Sequence, residues 1–283
     1  MIRIKNLTDD INHVIIETKG NFSVLEHKRD SSVNPESARL EYYMKEMNIH
    51  KRQLIIDLEE GEGVVIQAGS MQWVAGDVEA TTGVRGPLDF LGKFVKGSMT
   101  DESAIKPEYV GEGSMALEPT FKHILLEEVE DWDGGLVMED GMFLACDSTV
   151  KRTVQMRSNV SSAVLGHEGM FNTKLTGAGV AALESNVPRE ELVIVEMKDD
   201  VLKVDGSYAV CWSGSLKFSV GKAGKTLAGS IVSKEKLVNI YSGTGRVMLS
   251  TVANSYADAI PPETPKQEQR PQPKKEQKGQ ARK

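Results

Sequence analysis

Reactive side chains are scarce in this sequence. Only two cysteines, Cys146 and Cys211, occur in 283 residues, without CxxC spacing, which excludes a disulfide framework and a thiolate metal cluster. That usage fits a reducing compartment, and a cytoplasmic location is expected. The five histidines (His13, His27, His50, His123, His167) never pair at metal-ligand spacing. No run approaches the roughly eighteen apolar residues of a membrane-spanning helix, so no transmembrane segment is expected. Charges break every apolar stretch of MIRIKNLTDDINHVIIETKG, residues 1–20, which argues against a signal peptide.

Positive charge is also scarce, except at one end. The net charge is −7. Residues 260–283 carry seven basic side chains and three glutamates, a net of +4, so the first 259 residues carry −11. A body this acidic repels a phosphate backbone, and nucleic-acid binding by it is disfavoured. The tail PPETPKQEQRPQPKKEQKGQARK holds five of the ten prolines and almost nothing apolar. Residues 254–283 are therefore expected to be a disordered basic segment, with Lys274 and Lys275 as a weak contact point for an anionic partner. A purely solubilising tail is the blander reading.

What the sequence does hold is an internal repeat. GEGSMAL at 111–117 recurs as GAGVAAL at 177–183 and GTGRVML at 243–249, each 66 residues on. Tyr109, Leu175 and Tyr241 keep step two residues before the first glycine. A second phrase precedes each copy: VVIQAGSMQWVAGDV (64–78), LVMEDGMFLACDSTV (136–150) and LKVDGSYAVCWSGSL (202–216). Its pivots are Gly69, Gly141 and Gly206, and the third copy needs one extra residue, such as a β-bulge, to align. Apolar runs of four to eight residues ending in glycine or Asp-Gly mark each unit as β. The expected fold is mainly β: three short-stranded β-sandwich modules, 51–119, 120–186 and 187–253, packed about a pseudo-threefold axis, with minor helices. Residues 1–50 read as an N-terminal extension. It holds a hairpin around Lys19-Gly20-Asn21 and a helix over 35–48, capped by Asn34 and packed on the β body through Leu40, Tyr43, Met44 and Met47.

GSMQWVAGDVEATTG, ESAIKPEYVGEGSMALEPTFKHILL, DGMFLACDS, GHEGMFN, PREEL, GSLKF and LVNIYSGTGRV resemble the "altered inheritance of mitochondria" family across about residues 30–252. The resemblance implies a fold like that of the tryptophan RNA-binding attenuation protein, with three internal β-sandwich repeats. It brings no catalytic residues, and its mitochondrial members are linked to inner-membrane organisation. KEKLVNIYSGTG departs from the family pattern at Lys234 and Lys236. A shared fold does not carry RNA or tryptophan binding with it.

GEGSMA and GAGVAA satisfy the dinucleotide fingerprint G-x-G-x-x-G/A, but that motif works only where a helix follows. Pro119 forbids one two residues after Leu117. The glycine pairs Gly111/Gly113, Gly177/Gly179 and Gly243/Gly245 therefore read as structural turns, as do the three pivots. GKAGKT (221–226) has Ser219 where a Walker loop needs glycine. The cysteines exchange with small apolar residues between modules and read as buried core. The acidic run Glu127–Asp133 lacks the oxygen spacing of a calcium loop and reads as a solvated strand end. In 81–99, Leu88, Phe90, Leu91 and Phe94 form an apolar element that either binds a partner or plugs the β body. Catalytic, cofactor and metal residues are expected to be none. The expected function is a non-enzymatic β scaffold or binding protein for an unknown protein partner, extending to the organisation of a membrane-associated assembly, homo-oligomers being allowed. Small-ligand or nucleic-acid binding in clefts between modules is the alternative.

Overall fold

The computed structural model describes residues 2–9, 11–81, 106–156, 171–206, 208–221 and 238–252. It is mainly β. The strands are β1 (His13–Lys19), β2 (Phe22–His27), β3 (Lys51–Leu58), β4 (Gly63–Ile66), β5 (Met71–Thr81), β6 (Glu108–Leu117), β7 (His123–Glu128) and β8 (Leu136–Met138). They continue as β9 (Phe143–Asp147), β10 (Lys151–Met156), β11 (Phe171–Thr176), β12 (Val180–Ser185), β13 (Val193–Val204), β14 (Ala209–Ser213), β15 (Lys217–Gly221) and β16 (Val238–Leu249). One helix, α1 (Ala38–Glu46), lies between β2 and β3.

All strand pairings among the described residues are antiparallel. The first sheet runs β1-β2-β3-β6-β4-β9-β12-β7, with β5 on β6; the second runs β10-β11-β8-β14-β16-β13, with β15 on β16. The first sheet curls, so that its two ends approach. Lys19 Nζ on β1 donates to the Leu126 carbonyl on β7 at 3.1 Å, and Ile124 and Leu126 share a core with Phe22, Val24, Leu54 and Ile56. Curling buries β2 on both faces: Phe22 and Val24 enter that core, while Leu25 packs with Ile55 and Ala116 on the other side. This is why VIL-rich runs here are continuous rather than alternating.

The expected modules do not map onto sheets. Strands β7, β9 and β12 of the middle stretch lie in the first sheet, and β8, β10 and β11 in the second. The largest core, containing Trp132, Leu136, Phe143, Cys146, Leu183 and Cys211, draws on both. Nor is the N-terminal stretch an appendage, because the β1–β2 hairpin adds to β3 in register from Phe22↔Ile56 to His27↔Lys51.

The helix is shorter than the predicted 35–48. Asn34 Oδ1 accepts from the Ser37 backbone N–H at 2.9 Å, but residues 35–37 form a turn and the helix proper starts at Ala38. At its other end Asn48 takes a left-handed φ of 59°. The Asn48 and Ile49 N–H groups then donate to the Lys45 and Met44 carbonyls at 3.0 and 2.8 Å, a Schellman closure. No residue of α1 is buried. Leu40 and Met47 remain 63% and 74% exposed, so the expected packing on the β body does not occur; the helix stands over a cleft instead.

Candidate functional site

The glycine phrases sit where strands bend. Gly111 and Gly113 lie inside β6, Gly243 and Gly245 inside β16, and Gly177 and Gly179 between β11 and β12. At the first of these, β5 and β6 come together through Gly76↔Gly113 and Val78↔Gly111. A Cβ on Gly111 would lie 1.9 Å from the Asp77 carbonyl oxygen, at a φ of +144°. The backbone of the neighbouring strand fills the space a phosphate would need, and β6 continues as strand to Leu117. Gly69, Gly141 and Gly206 occupy the connections β4–β5, β8–β9 and β13–β14.

Both cysteines are buried. Burial pushes the Cys146 thiol up to about 11 and the Cys211 thiol well above its usual value, the opposite of an activated nucleophile. The acidic run is a solvated strand end only in part: Glu130, Asp131 and Asp133 are exposed beyond the end of β7, but Glu127 is not. Glu127 is buried and accepts from Trp132 Nε1 at 3.1 Å and from Arg189 at 2.7 Å. Val129–Asp131 form a short 3-10 turn. Glu130 accepts from the Gly179 N–H at 2.8 Å. Among the described residues, no group of three or more His, Cys, Asp or Glu side chains could hold a metal ion. Leu88, Phe90, Leu91, Phe94, Lys274 and Lys275 lie outside the described residues.

Side chains of mixed chemistry converge under α1. A cleft of about 540 Å³ opens between α1, residues 27–33 and the start of β3. Its wall carries Lys28, Arg29, Lys45 and Lys51 against Asp30 and Glu41, with Tyr42 and Phe121 as aromatic edges. Lys51 is bound to Asp30 at 2.6 Å and lies 5.7 Å from the centre of the Phe121 ring. Arg29 and Lys45 have no ion-pair partner among the described residues. Two imidazoles, His27 and His50, line the same cleft.

Beneath the cleft lies a buried ionic cluster. Glu26 on β2 and Arg52 on β3, each 3% exposed, meet at 2.7 Å. Lys28 takes the other Glu26 oxygen, and Arg52 also donates to the His50 carbonyl at 3.2 Å. Burial opposes charge on Glu26, but the Lys28 hydrogen bond and Arg52 outweigh it, and its pKa falls below the usual value. His27 and His13 meet edge to face at 4.9 Å. Burial, together with His13, holds the His27 pKa below the ordinary imidazole value, and burial does the same to His50 and His123. His13, His27 and His50, scattered in sequence, are brought together because His27 pairs with both His13 and Lys51. None of the cleft cations was nominated from sequence; the basic pairs Lys28-Arg29 and Lys51-Arg52, bracketing α1, were the available signal.

No described helix is long and apolar enough to cross a membrane. An uncharacterised protein of Streptococcus pyogenes serotype M6 is 25% identical over 203 residues, covering 70% of this chain and 80% of its own. A crystal structure of a Streptococcus pyogenes protein superposes with a TM-score of 0.55 at 23% identity, covering 74% of this chain and 92% of that one. That is a likeness of fold. The family model described as mitochondrial biogenesis AIM24 matches residues 46–252, from the end of α1 through β16. The chain belongs to the mitochondrial biogenesis AIM24 family.

Proposed function

We propose that this chain is a non-enzymatic binding scaffold, made of three equivalent β units in a pseudo-threefold, TRAP-like arrangement, whose partner docks in the cleft under α1. Two features of pairing support the repeat. Val64 faces Tyr109, Leu136 faces Leu175 and Leu202 faces Tyr241, with the second members 66 residues apart. Next to the last leucine of each glycine phrase, Met71↔Leu117, Phe143↔Leu183 and Ala209↔Leu249 are each followed by a one-residue slip. The bulge expected in the third copy alone thus has counterparts in the other two.

The observation that carries the binding role is the cleft itself, with Arg29 and Lys45 facing solvent on an otherwise acidic body. An acidic segment bearing an aromatic or aliphatic anchor fits it: the cations meet its carboxylates, and Tyr42 and Phe121 its anchor. The reading as non-enzymatic draws on the buried thiols and on glycines that abut backbone. Organising an assembly at a membrane surface falls within this role. Small-ligand or nucleic-acid binding in clefts between modules is the second reading; the cleft under α1 is lined mainly by residues 27–50, with Lys51 of the first module and Phe121 of the second at its edge.

The test is affinity purification from the native cell with mass spectrometry, comparing the wild-type chain with Arg29→Glu/Lys45→Glu. A partner recovered with wild type and lost with the variant is the expected result. Identical recovery from both chains overturns docking at this cleft.

A further inference from the structure

The amphipathic pattern of α1 is turned inside out. The helix residues that line the cleft are Ala38, Glu41, Tyr42 and Lys45. Leu40, Tyr43 and Met47, spaced three and four residues apart, share the opposite side of the helix. They are 63%, 56% and 74% exposed. An apolar stripe on a helix ordinarily faces a core, yet no residue of α1 is buried. Nine residues are also too few to hold a helix in water unaided. Covering this stripe would therefore stabilise α1 itself as well as remove apolar surface from water.

The charges beside the stripe say what fits it. Leu40 and Met47 lie seven residues apart with Tyr43 between them, the a and d positions of a heptad. The g positions on one flank are Arg39 and Glu46, both exposed and without an ion-pair partner among the described residues. The e positions on the other flank, Ser37 and Met44, are half-buried and uncharged. Opposite charges seven residues apart on one flank complement a second copy of themselves in a single orientation. Helices packed antiparallel set g beside g, so Arg39 of each copy meets Glu46 of the other, and Leu40 of each packs on Tyr43 of the other. Packed parallel, g faces e, and Arg39 would meet Met44 instead.

We propose that a second copy of this chain covers the outer face of α1, the two helices packing antiparallel about a two-fold axis. The contact is isologous and closes as a dimer. With three anchoring side chains from each copy it is small, which makes the dimer weak and reversible. The cleft lies on the other side of each helix and stays open, so self-association and docking in the cleft are independent of one another.

Sedimentation equilibrium of the full-length chain, at low salt where exposed ion pairs are least screened, tests this with a charge exchange. Arg39→Glu, Glu46→Arg and the double variant change only exposed side chains, and circular dichroism checks that each folds as wild type. Wild type is expected to gain mass as its concentration rises. Each single variant sets like charges together at both flanking contacts and should dimerise about tenfold more weakly. An equal mixture of the two single variants restores opposite charges and should recover the wild-type dimer, as should the double variant alone. Leu40→Asp/Met47→Asp should remain monomeric. A wild-type monomer at every concentration overturns the proposal; so do single variants that dimerise like wild type, or a mixture no tighter than its components. Maleimide labelling of Leu40→Cys identifies what covers the face, the native cysteines being buried. Protection that grows with protein concentration is expected. Protection of a monomer means that another stretch of the same chain lies on α1, and labelling that never slows means that nothing does; either result overturns the proposal. Arg29→Glu/Lys45→Glu, altered on the cleft side, should dimerise as wild type, so loss of the cleft's partner and loss of the dimer are read separately.

Discussion

Alanine at Gly111 and at Gly69 separates two costs that a glycine can hide. Both positions have positive φ, +144° at Gly111 and +81° at Gly69, so either alanine incurs backbone strain of about 1–2 kcal/mol. Each change also removes freedom from the unfolded chain, which returns roughly 0.4–1 kcal/mol. At Gly69 that is the whole account, because nothing lies within 4 Å of the added Cβ. The expected loss there is about 0.5–1.5 kcal/mol. At Gly111 the new methyl lands 1.9 Å from the Asp77 oxygen, 2.9 Å from the Asp77 carbonyl carbon and 2.9 Å from the Val78 Cα. These are backbone atoms of β5, and they cannot rotate away. Relief requires opening the β5–β6 ladder beside Val78↔Gly111, losing one or two hydrogen bonds of about 0.5–1.5 kcal/mol each together with local packing. The total at Gly111 comes to about 2–5 kcal/mol, a large share of the roughly 5–15 kcal/mol that stabilises a typical domain. Urea denaturation followed by tryptophan fluorescence measures both variants against wild type. Midpoint losses that agree within about 0.5 kcal/mol, inside the usual tolerance of such comparisons, would refute the close-approach argument. They would also reopen a ligand role for GEGSMAL.

Glu26→Gln leaves Arg52 buried beside a neutral amide, and removing one partner of a buried pair costs about 3–5 kcal/mol; a midpoint shift under 1 kcal/mol in the same assay would show the cluster to be dispensable. Acid should destabilise the fold in two stages. His27, His50 and His123 have folded pKa values below the unfolded value of 6.5, so the unfolded chain binds more protons and stability falls as pH drops below about 6.5. Glu26, also depressed, contributes stability above its unfolded value of 4.5 that is lost as pH falls through its lower folded value. His27→Gln should therefore flatten the stability profile between pH 6.5 and 5, read as melting temperature against pH; an unchanged slope would remove His27 from the account.

Local structure was legible where backbone geometry dictates residue type. The glycine phrases and the Asp-Gly turns mark strand ends and bends because few other residues tolerate those conformations or approaches. The hairpin at Gly20-Asn21 was visible for the same reason. Strand partnership was not, because Val65 pairs with Cys146 and Met138 with Cys211 across separations that leave no local trace. The apolar spacing of Leu40, Tyr43 and Met47 described a helix correctly but implied burial that the fold does not supply; periodicity reports a face, not what meets it. The cleft stayed hidden because its cations come from three separate stretches joined only when β2 pairs with β3. Glu127 misled in the opposite direction: a carboxylate in an acidic run reads as solvated, and Trp132 and Arg189, its partners, are identifiable only in space.

The division of the middle stretch between two sheets has a consequence for synthesis. A chain emerging from its N-terminus cannot finish the first sheet until β12 has been made, since β12 joins β9 to β7. The second sheet waits longer still. Its strand β16, the last of the described strands, lies between β14 and β13 and also receives β15. Strands β13 and β15 pair with β16 and must wait for it, whereas β10, β11, β8 and β14 can pair with one another before it appears. Non-local pairing of this kind folds slowly and leaves edges open while it waits. The second sheet therefore closes only when β16 inserts between β14 and β13, the keystone of its topology.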